Sequence, residues 1–492
     1  MAVSAVDLPG SGHETVIPRR GARTYALVWC TQLLAMFVTA VTALSLSIGT
    51  PVYNPFYTGS VLLLAVAYAL TFIPFAAASP LGGPLVDRWG PKRTLVFSGT
   101  GTLVLMSALA AVLAAGVLTI WMVWVVLLGV AAFKAVQITA LESTVPLLVP
   151  KQHIVRANGS RFFLTAVTAA FALAVAGVLV PVVSMQAITW VTCLVVIIAV
   201  TCAARAGIPS ARPREAAGAP LPLRGGNKPL WAYVHGRRGL IALFGFFAVF
   251  NFVTGFAEIA DREISAGFGS SATLNIVLGT GAVGMLATTV AITIWGGPRR
   301  PIRGMLGYSL VFGAALVLGS SRPNLLVVSA AAVLFLGSAP FLMAIIGTLL
   351  HTKTEPGLMG RMMGLKNLVI GISYPAGNIV AVLCGAFAKS LAGGNRAGTG
   401  FSATLVGTGQ ATGRGYAIMT MAVGVLTIIT VLLAGRHRSL RDLDTNLADV
   451  TPDDLMAGQH PVITQADTET AGQRLGASGA GVPVAAADVG RK

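Results

Sequence analysis

The sequence predicts an all-α membrane protein of about twelve transmembrane helices in two six-helix, pseudo-symmetric bundles, and three observations predict it. Of 492 residues, 55% are hydrophobic and only 10% are charged, with a mean hydropathy of +0.79, whereas an ordinary soluble domain carries roughly 25% charged residues. The apolar residues gather in runs of roughly 20, the length of a helix that crosses lipid, and not in the alternating runs of roughly 10 that build a barrel. Only helices and closed barrels satisfy their backbone groups inside lipid, so the run length selects helices. Third, the net charge of +17 is carried by segments between the apolar runs. That placement points to a membrane surface and argues against a nucleic-acid partner.

The first two dozen residues contain Asp7, His13, Glu14, Arg19, Arg20 and Arg23 and lack an apolar core with a small-residue cleavage site, so no removable signal peptide is expected. Apolar runs bounded by Gly, Pro and charge then begin near Tyr25, Ser60, Thr94, Val117, Asn158, Gln186, Leu240, Thr273, Met305, Asn324, Met362 and Tyr416. With a cytoplasmic N-terminus, Arg88, Lys92, Arg93, Lys151, Arg156, Arg161, Arg299, Arg300, Arg303 and Arg436 all fall on one side. The other side receives only Arg262, Arg322, Lys389, Arg396 and Arg414. The positive-inside rule therefore puts both termini in the cytoplasm. A Pro-, Gly- and Arg-rich stretch interrupts the spans after the sixth and reads as a linker. The expected organisation is a cytoplasmic tail over 1–24, a six-helix bundle over 25–206, a cytoplasmic linker over 207–238, a second bundle over 239–435 and a disordered cytoplasmic tail over 436–492. A Gly- and Thr-rich loop over 393–415 is expected outside.

Internal similarity supports two halves. Arg156-Ala-Asn-Gly159 follows the fourth span and Arg361-Met-Met-Gly364 follows the tenth, the same point of each half. Likewise Gly296-Gly-Pro298 follows the eighth span as Gly82-Gly-Pro84 follows the second. Such echoes at matching positions mark a duplicated bundle.

Between the second and third spans stands Gly83-Pro-Leu-Val-Asp87-Arg88-Trp-Gly90-Pro-Lys92-Arg93. A basic, Gly-containing loop is what any cytoplasmic connection offers, but Asp followed by Arg at this spacing is not. Gly83 permits close helix packing, Asp87 can accept from a neighbouring helix N-terminus, and the cations anchor the loop at the inner leaflet. The segment resembles the hallmark loop of the major facilitator superfamily, Gly-x-x-x-Asp-Arg-x-Gly-Arg-Lys/Arg-Lys/Arg, with Pro91 in place of an Arg. That resemblance implies a gating loop of Gly83, Asp87, Arg88, Gly90, Lys92 and Arg93 that latches the halves on the cytoplasmic side. Thr144-Val-Pro-Leu-Leu-Val-Pro150-Lys151, Arg156-Ala-Asn-Gly159 and Pro375-Ala-Gly377 further resemble the drug/proton antiporter branch that contains macrolide exporters and the enterobactin exporter. The Gly-Pro-x-x-Gly-Gly signature of the antiporters is missing from the fifth span, which reads Ala174-Val-Ala-Gly177-Val-Leu-Val-Pro181.

An ionisable group at the bilayer centre costs at least roughly 2.5 to 3.5 kcal/mol on insertion scales and needs a reason. Lys134 stands mid-span with Gln137 one turn on, resembling the Arg-x-x-Gln of proton-linked exporters with Lys for Arg. A Lys changes protonation more readily than an Arg, which makes Lys134 a candidate for proton coupling or anion binding. Asn251, Thr254 and Glu258 form one stripe of the seventh span, with Glu258 the second proton-coupling candidate. Asn367, Tyr374 and Asn378 form another in the eleventh. Candidate substrate contacts are Gln32, Gln137, Asn251, Tyr374 and Asn378, for which the competing role is bonding between helices. Glu142 and Lys366 are expected to serve packing and to reach toward the cytoplasmic surface.

The four cysteines, Cys30, Cys193, Cys202 and Cys384, lie in apolar runs, so neither a disulfide framework nor a metal site is expected. With no phosphate-cradling loop and no nucleophile-and-base pair, no enzyme activity, catalytic residue or cofactor is expected. The expected partners are a small-molecule substrate, protons and membrane lipid, for a monomer in a bacterial plasma membrane. The expected function is proton-coupled efflux of an amphipathic small molecule such as a drug or siderophore by alternating access, with import of a small nutrient or a transport-inactive receptor or scaffold as the alternatives.

Overall fold

The computed structural model describes residues 21–49, 61–149, 153–179, 182–208, 228–268, 271–298, 300–322, 324–354, 358–385, 387 and 411–436. The N-terminal tail, most of the central linker, most of the Gly-rich 393–415 loop and the C-terminal tail beyond residue 436 lie outside them. The helices are α1 (Gly21–Gly49), α2 (Val61–Trp89), α3 (Pro91–Ala115), α4 (Ile120–Ser143), the four-residue α5 (Val145–Leu148), α6 (Ile154–Leu179), α7 (Met185–Arg205), α8 (Lys228–His235), α9 (Arg238–Phe268), α10 (Ser271–Trp295), α11 (Pro301–Ser321), α12 (Leu325–Lys353), α13 (Met359–Leu383) and α14 (Ala411–Arg436). Twelve are long, and each begins within about five residues of its expected start. Among the described residues, ten carry windows apolar enough to cross a membrane.

The turns explain the boundaries. Gly90 takes φ 82 between α2 and α3, and Pro91 follows as the first residue of α3, where its missing N–H costs nothing. The position at which the hallmark loop carries Arg is therefore used here to start a helix. Gly116 ends α3 in the left-handed conformation, Ser184 caps α7 through Ala187, and Asn324 caps α12 through Leu326 at 2.9 Å. Hydroxyls inside the spans, such as those of Thr289, Ser338 and Thr427, donate to the carbonyl one turn back, which satisfies them without a partner helix.

Helices α1 to α7 pack together as one bundle, with α1 against α6 and α7, α3 against α4 and α7, and α2 against α4. Helices α8 to α14 form the other, with α9 against α13 and α14, and α12 against α10 and α11. The second bundle has the larger aromatic core, in which Phe312 lies 4.7 Å from both Phe250 and Phe335. Around the outside, Trp121, Val182, Ile294 and Leu326 are each more than 70% exposed. An apolar girdle of this kind suits lipid and would be a liability in water.

The segment read as a linker contains α8. Its Leu230, Tyr233 and Val234 are buried while Trp231 and His235 are exposed. The Tyr233 hydroxyl donates to the Lys353 carbonyl at 2.7 Å, at the last turn of α12, and the Arg237 guanidinium lies 3.6 Å above the Tyr233 ring. The end of the linker is thus docked beneath the second bundle.

Candidate functional site

The two bundles meet along α2–α13 and along α6 with α10 and α12. Lipid offers no hydrophobic drive for helices to associate, so such seams depend on small residues and polar bonds. A Cβ on Gly83 would stand 2.6 Å from the Arg361 Cα and 2.9 Å from the Gly360 carbonyl oxygen, so the two backbones approach as closely as glycine allows. Gly83→Val is expected to destabilise the fold by about 1 to 3 kcal/mol, seen as a lowered midpoint in detergent thermal denaturation, whereas Leu81→Val on the exposed side of α2 leaves it unchanged.

At this approach Asp87, at the last turn of α2, meets the first turn of α13. Its Oδ1 accepts from the Gly360 N–H at 2.6 Å, and its Oδ2 accepts from the Arg361 N–H at 3.2 Å and the Arg361 guanidinium at 3.4 Å. The first N–H groups of a helix have no intrahelical partner and carry its positive dipole end, so one carboxylate serves donors and charge together. Both side chains are at most 6% exposed. Arg88 and Arg93 are exposed beside it and Lys92 is half-buried.

A second lock lies beside the first, and the sequence reading did not find it. Glu142 of α4 accepts from the Lys366 ammonium of α13 at 2.5 Å and from the Asn367 amide at 3.4 Å, and that amide also reaches Thr139 at 3.2 Å. Glu142 and Lys366 side chains are 5% and 6% exposed. Lys366 was expected to snorkel to the surface. It is instead held inward, because the facing helix supplies a carboxylate at the same depth. The available signal was opposite charge at matching depth in the fourth and eleventh spans.

The other seam repeats the pattern. Asn158 of α6 donates to Thr348 of α12 at 3.2 Å, and a Cβ on Gly159 would stand 2.9 Å from Ile292 of α10. Both Arg-x-x-Gly repeats therefore lie in cross-bundle contacts. The cross-bundle hydrogen bonds and ion pairs of Asp87, Glu142, Asn158 and Asn367 all lie near the end carrying the basic loops.

Toward mid-bundle, Gln32 of α1 and Gln137 of α4 are both buried; the Gln137 amide donates to Gln32 Oε1 at 2.5 Å, and Gln32 donates to the Ala199 carbonyl at 3.2 Å. Lys134 is exposed. Glu258 of α9 accepts from the Tyr374 hydroxyl of α13 and, at 3.2 Å, from Arg262. Phe72 of α2 packs 5.4 Å from the Tyr374 ring, so this group also touches the other bundle. Asn251 is buried and donates to its own helix at the Phe247 carbonyl. Asn378 is 1% exposed, next to the tight α9–α13 approach where a Cβ on Gly255 would overlap the Tyr374 carbonyl. The structure thus joins Gln32 with Gln137 and Glu258 with Tyr374, and places Asn251 and Asn378 in helix packing.

A bundle pair latched by a carboxylate on a helix N-terminus, with polar groups held between the halves, defines a class of membrane transporter. The sequence profile of the Major Facilitator Superfamily matches residues 28–378, and the chain belongs to that superfamily. Macrolide efflux protein A of Streptococcus pyogenes is 25% identical over 361 residues, covering 72% of this chain and 88% of that protein. Among solved structures, the human organic anion transporter MFSD10 superposes with a TM-score of 0.61 at 13% identity, over 84% of this chain and 99% of the other. The Escherichia coli fucose:proton symporter FucP gives 0.60 at 13% identity over the same shares. At such identity these structures speak for the shared fold.

Proposed function

We propose that this chain is a proton-coupled exporter of an amphipathic small molecule, working by alternating access in a bacterial plasma membrane with both termini in the cytoplasm. The observation that carries the reading is the latch: two bundles bonded across their interface near the basic loops, with the polar pair Gln32–Gln137 in one bundle and Glu258–Tyr374 in the other above it. With the basic loops inside, as the positive-inside rule asks, this arrangement is the outward-facing state. The 25% identity to a macrolide efflux protein supports the outward direction. Alternating access then requires the latch to open when the opposite side closes, with the units 25–206 and 239–435 moving against each other. Glu258 serves as proton carrier, and Gln32, Gln137 and Tyr374 border the path.

The test is accumulation of a panel of labelled amphipathic drugs in cells expressing the chain. Lower accumulation than in vector controls, restored to the control level by an uncoupler, is expected. Higher accumulation would make it an importer, and no difference across the panel together with no counterflow in proteoliposomes would leave a scaffold.

A further inference from the structure

We infer that the molecule this transporter carries is an amphipathic acid, whose anionic group is bound by the ammonium of Lys134; the inference rests on the transport reading above and names its substrate class.

The face on which Lys134 stands is fixed by its neighbours on α4. Successive residues turn by about 100° around a helix. Gln137 lies about 60° to one side of Lys134 and bonds to α1, and Glu142 lies about 80° to the other side and bonds to α13 of the second bundle. The far side belongs to the first bundle: Val136 and Thr139 face Gly82 of α2, and Phe133 faces Gly101 of α3. Lys134 therefore points into the gap between α1 and α13, which is the cleft between the bundles, and not to lipid. Glu142 is eight residues away, roughly 12 Å nearer the basic end, so the ammonium is too deep for its stem to lift it to that surface.

The charges around the cleft pair among themselves. Asp87 is taken by Arg361, Glu142 by Lys366, and Glu258 by Arg262 and Tyr374. Lys134 makes no hydrogen bond or ion pair with any described residue, and it is exposed. Asp261, which also has no ion pair among the described residues, does not complete it: it lines a cavity with Val277, Leu316, Val328 and Phe335, inside the second bundle. Intramembrane cations pair with something, and no described residue supplies the anion here. The neighbouring surface states what accompanies the charge. Leu127, Ala131 and Ile138 lie within about 60° of Lys134 on α4, and all are half-buried. The Gln32–Gln137 amides flank the other side. An apolar body with one acidic group and a hydrogen-bonding group beside it matches this surface; a permanent cation does not.

The test uses the purified full-length chain in lipid nanodiscs and two acid–ester pairs, fusidate with its methyl ester and naproxen with its methyl ester. Each pair differs in the charge and one methyl group. Wild type is expected to bind at least one acid about tenfold or more tightly than its ester. Lys134→Gln should remove that preference by weakening the acid while ester binding stays within about twofold, which also shows that the variant is folded. Lys134→Arg should keep most of it. Equal binding of acid and ester by wild type, binding of neither member of both pairs, or a preference that persists in Lys134→Gln overturns the inference. Failure of the transport reading looks different: the acid binds with the Lys134-dependent preference, yet proteoliposomes show no counterflow of it.

Discussion

Glu142→Gln is expected to open the basic end of the molecule. The variant keeps the size and an acceptor oxygen at residue 142 but leaves the Lys366 ammonium, whose side chain is 6% exposed, without its carboxylate. Breaking one side of a buried ion pair costs roughly 3 to 5 kcal/mol, because the remaining charge stays desolvated. That cost applies only to the latched state. Once the bundles part at this end, Lys366 reaches water and needs no partner. The penalty is therefore differential, and each 1.4 kcal/mol moves a two-state equilibrium tenfold, so a shift of about a hundredfold toward the opened state follows. Spin labels at Arg205 on α7 and Arg303 on α11, both exposed at this end and in different bundles, read the change as a longer inter-label distance. Removing the second charge as well, as Glu142→Gln with Lys366→Met, should bring the shorter distance back, since no unpaired charge then resists burial. An unaltered distance distribution in the single variant would show that Asp87 and Asn158 hold the latch without this pair.

The helices were legible because lipid imposes a length, and a run of apolar residues between Gly, Pro and charge reports that length directly. The Asp87 loop was legible because it is contiguous: a carboxylate at the end of one span and the start of the eleventh are both visible as local features. Glu142 with Lys366 was not. Each alone looks like an end-of-helix residue free to reach the surface, and their matching depth names no partner until α4 packs against α13. The surroundings of Asn378 were hidden for a related reason. Helical spacing puts it in line with Tyr374, yet the Gly255 approach draws α9 so close that the stripe becomes a packing seam. The docked α8 was hidden by composition, since the Pro-, Gly- and Arg-rich stretch before it masks an eight-residue amphipathic helix.

Glu258→Gln is the variant expected to separate energy coupling from movement. In the latched state one Glu258 oxygen accepts from Arg262 at 3.2 Å and the other from the Tyr374 hydroxyl. Tyr374 in turn touches Phe72 of the other bundle. A proton arriving on Glu258 removes the charge that attracts Arg262 and weakens the bond from the Tyr374 hydroxyl, which loses its charged acceptor. The Phe72–Tyr374 contact between the bundles, above the latch, is thereby tied to the proton. A glutamine is fixed in the neutral form and breaks this tie while leaving both helices in place. Transport driven by an imposed pH gradient in proteoliposomes should fall about tenfold or more, the loss produced by removing a charged proton acceptor, while substrate counterflow without a gradient continues. Tyr374→Phe keeps the titrating carboxylate and should retain part of the gradient-driven rate. If Glu258→Gln still concentrates substrate against its gradient at the wild-type rate, the coupling proton is carried elsewhere; if counterflow is lost as well, the residue holds the fold or the substrate and not the proton.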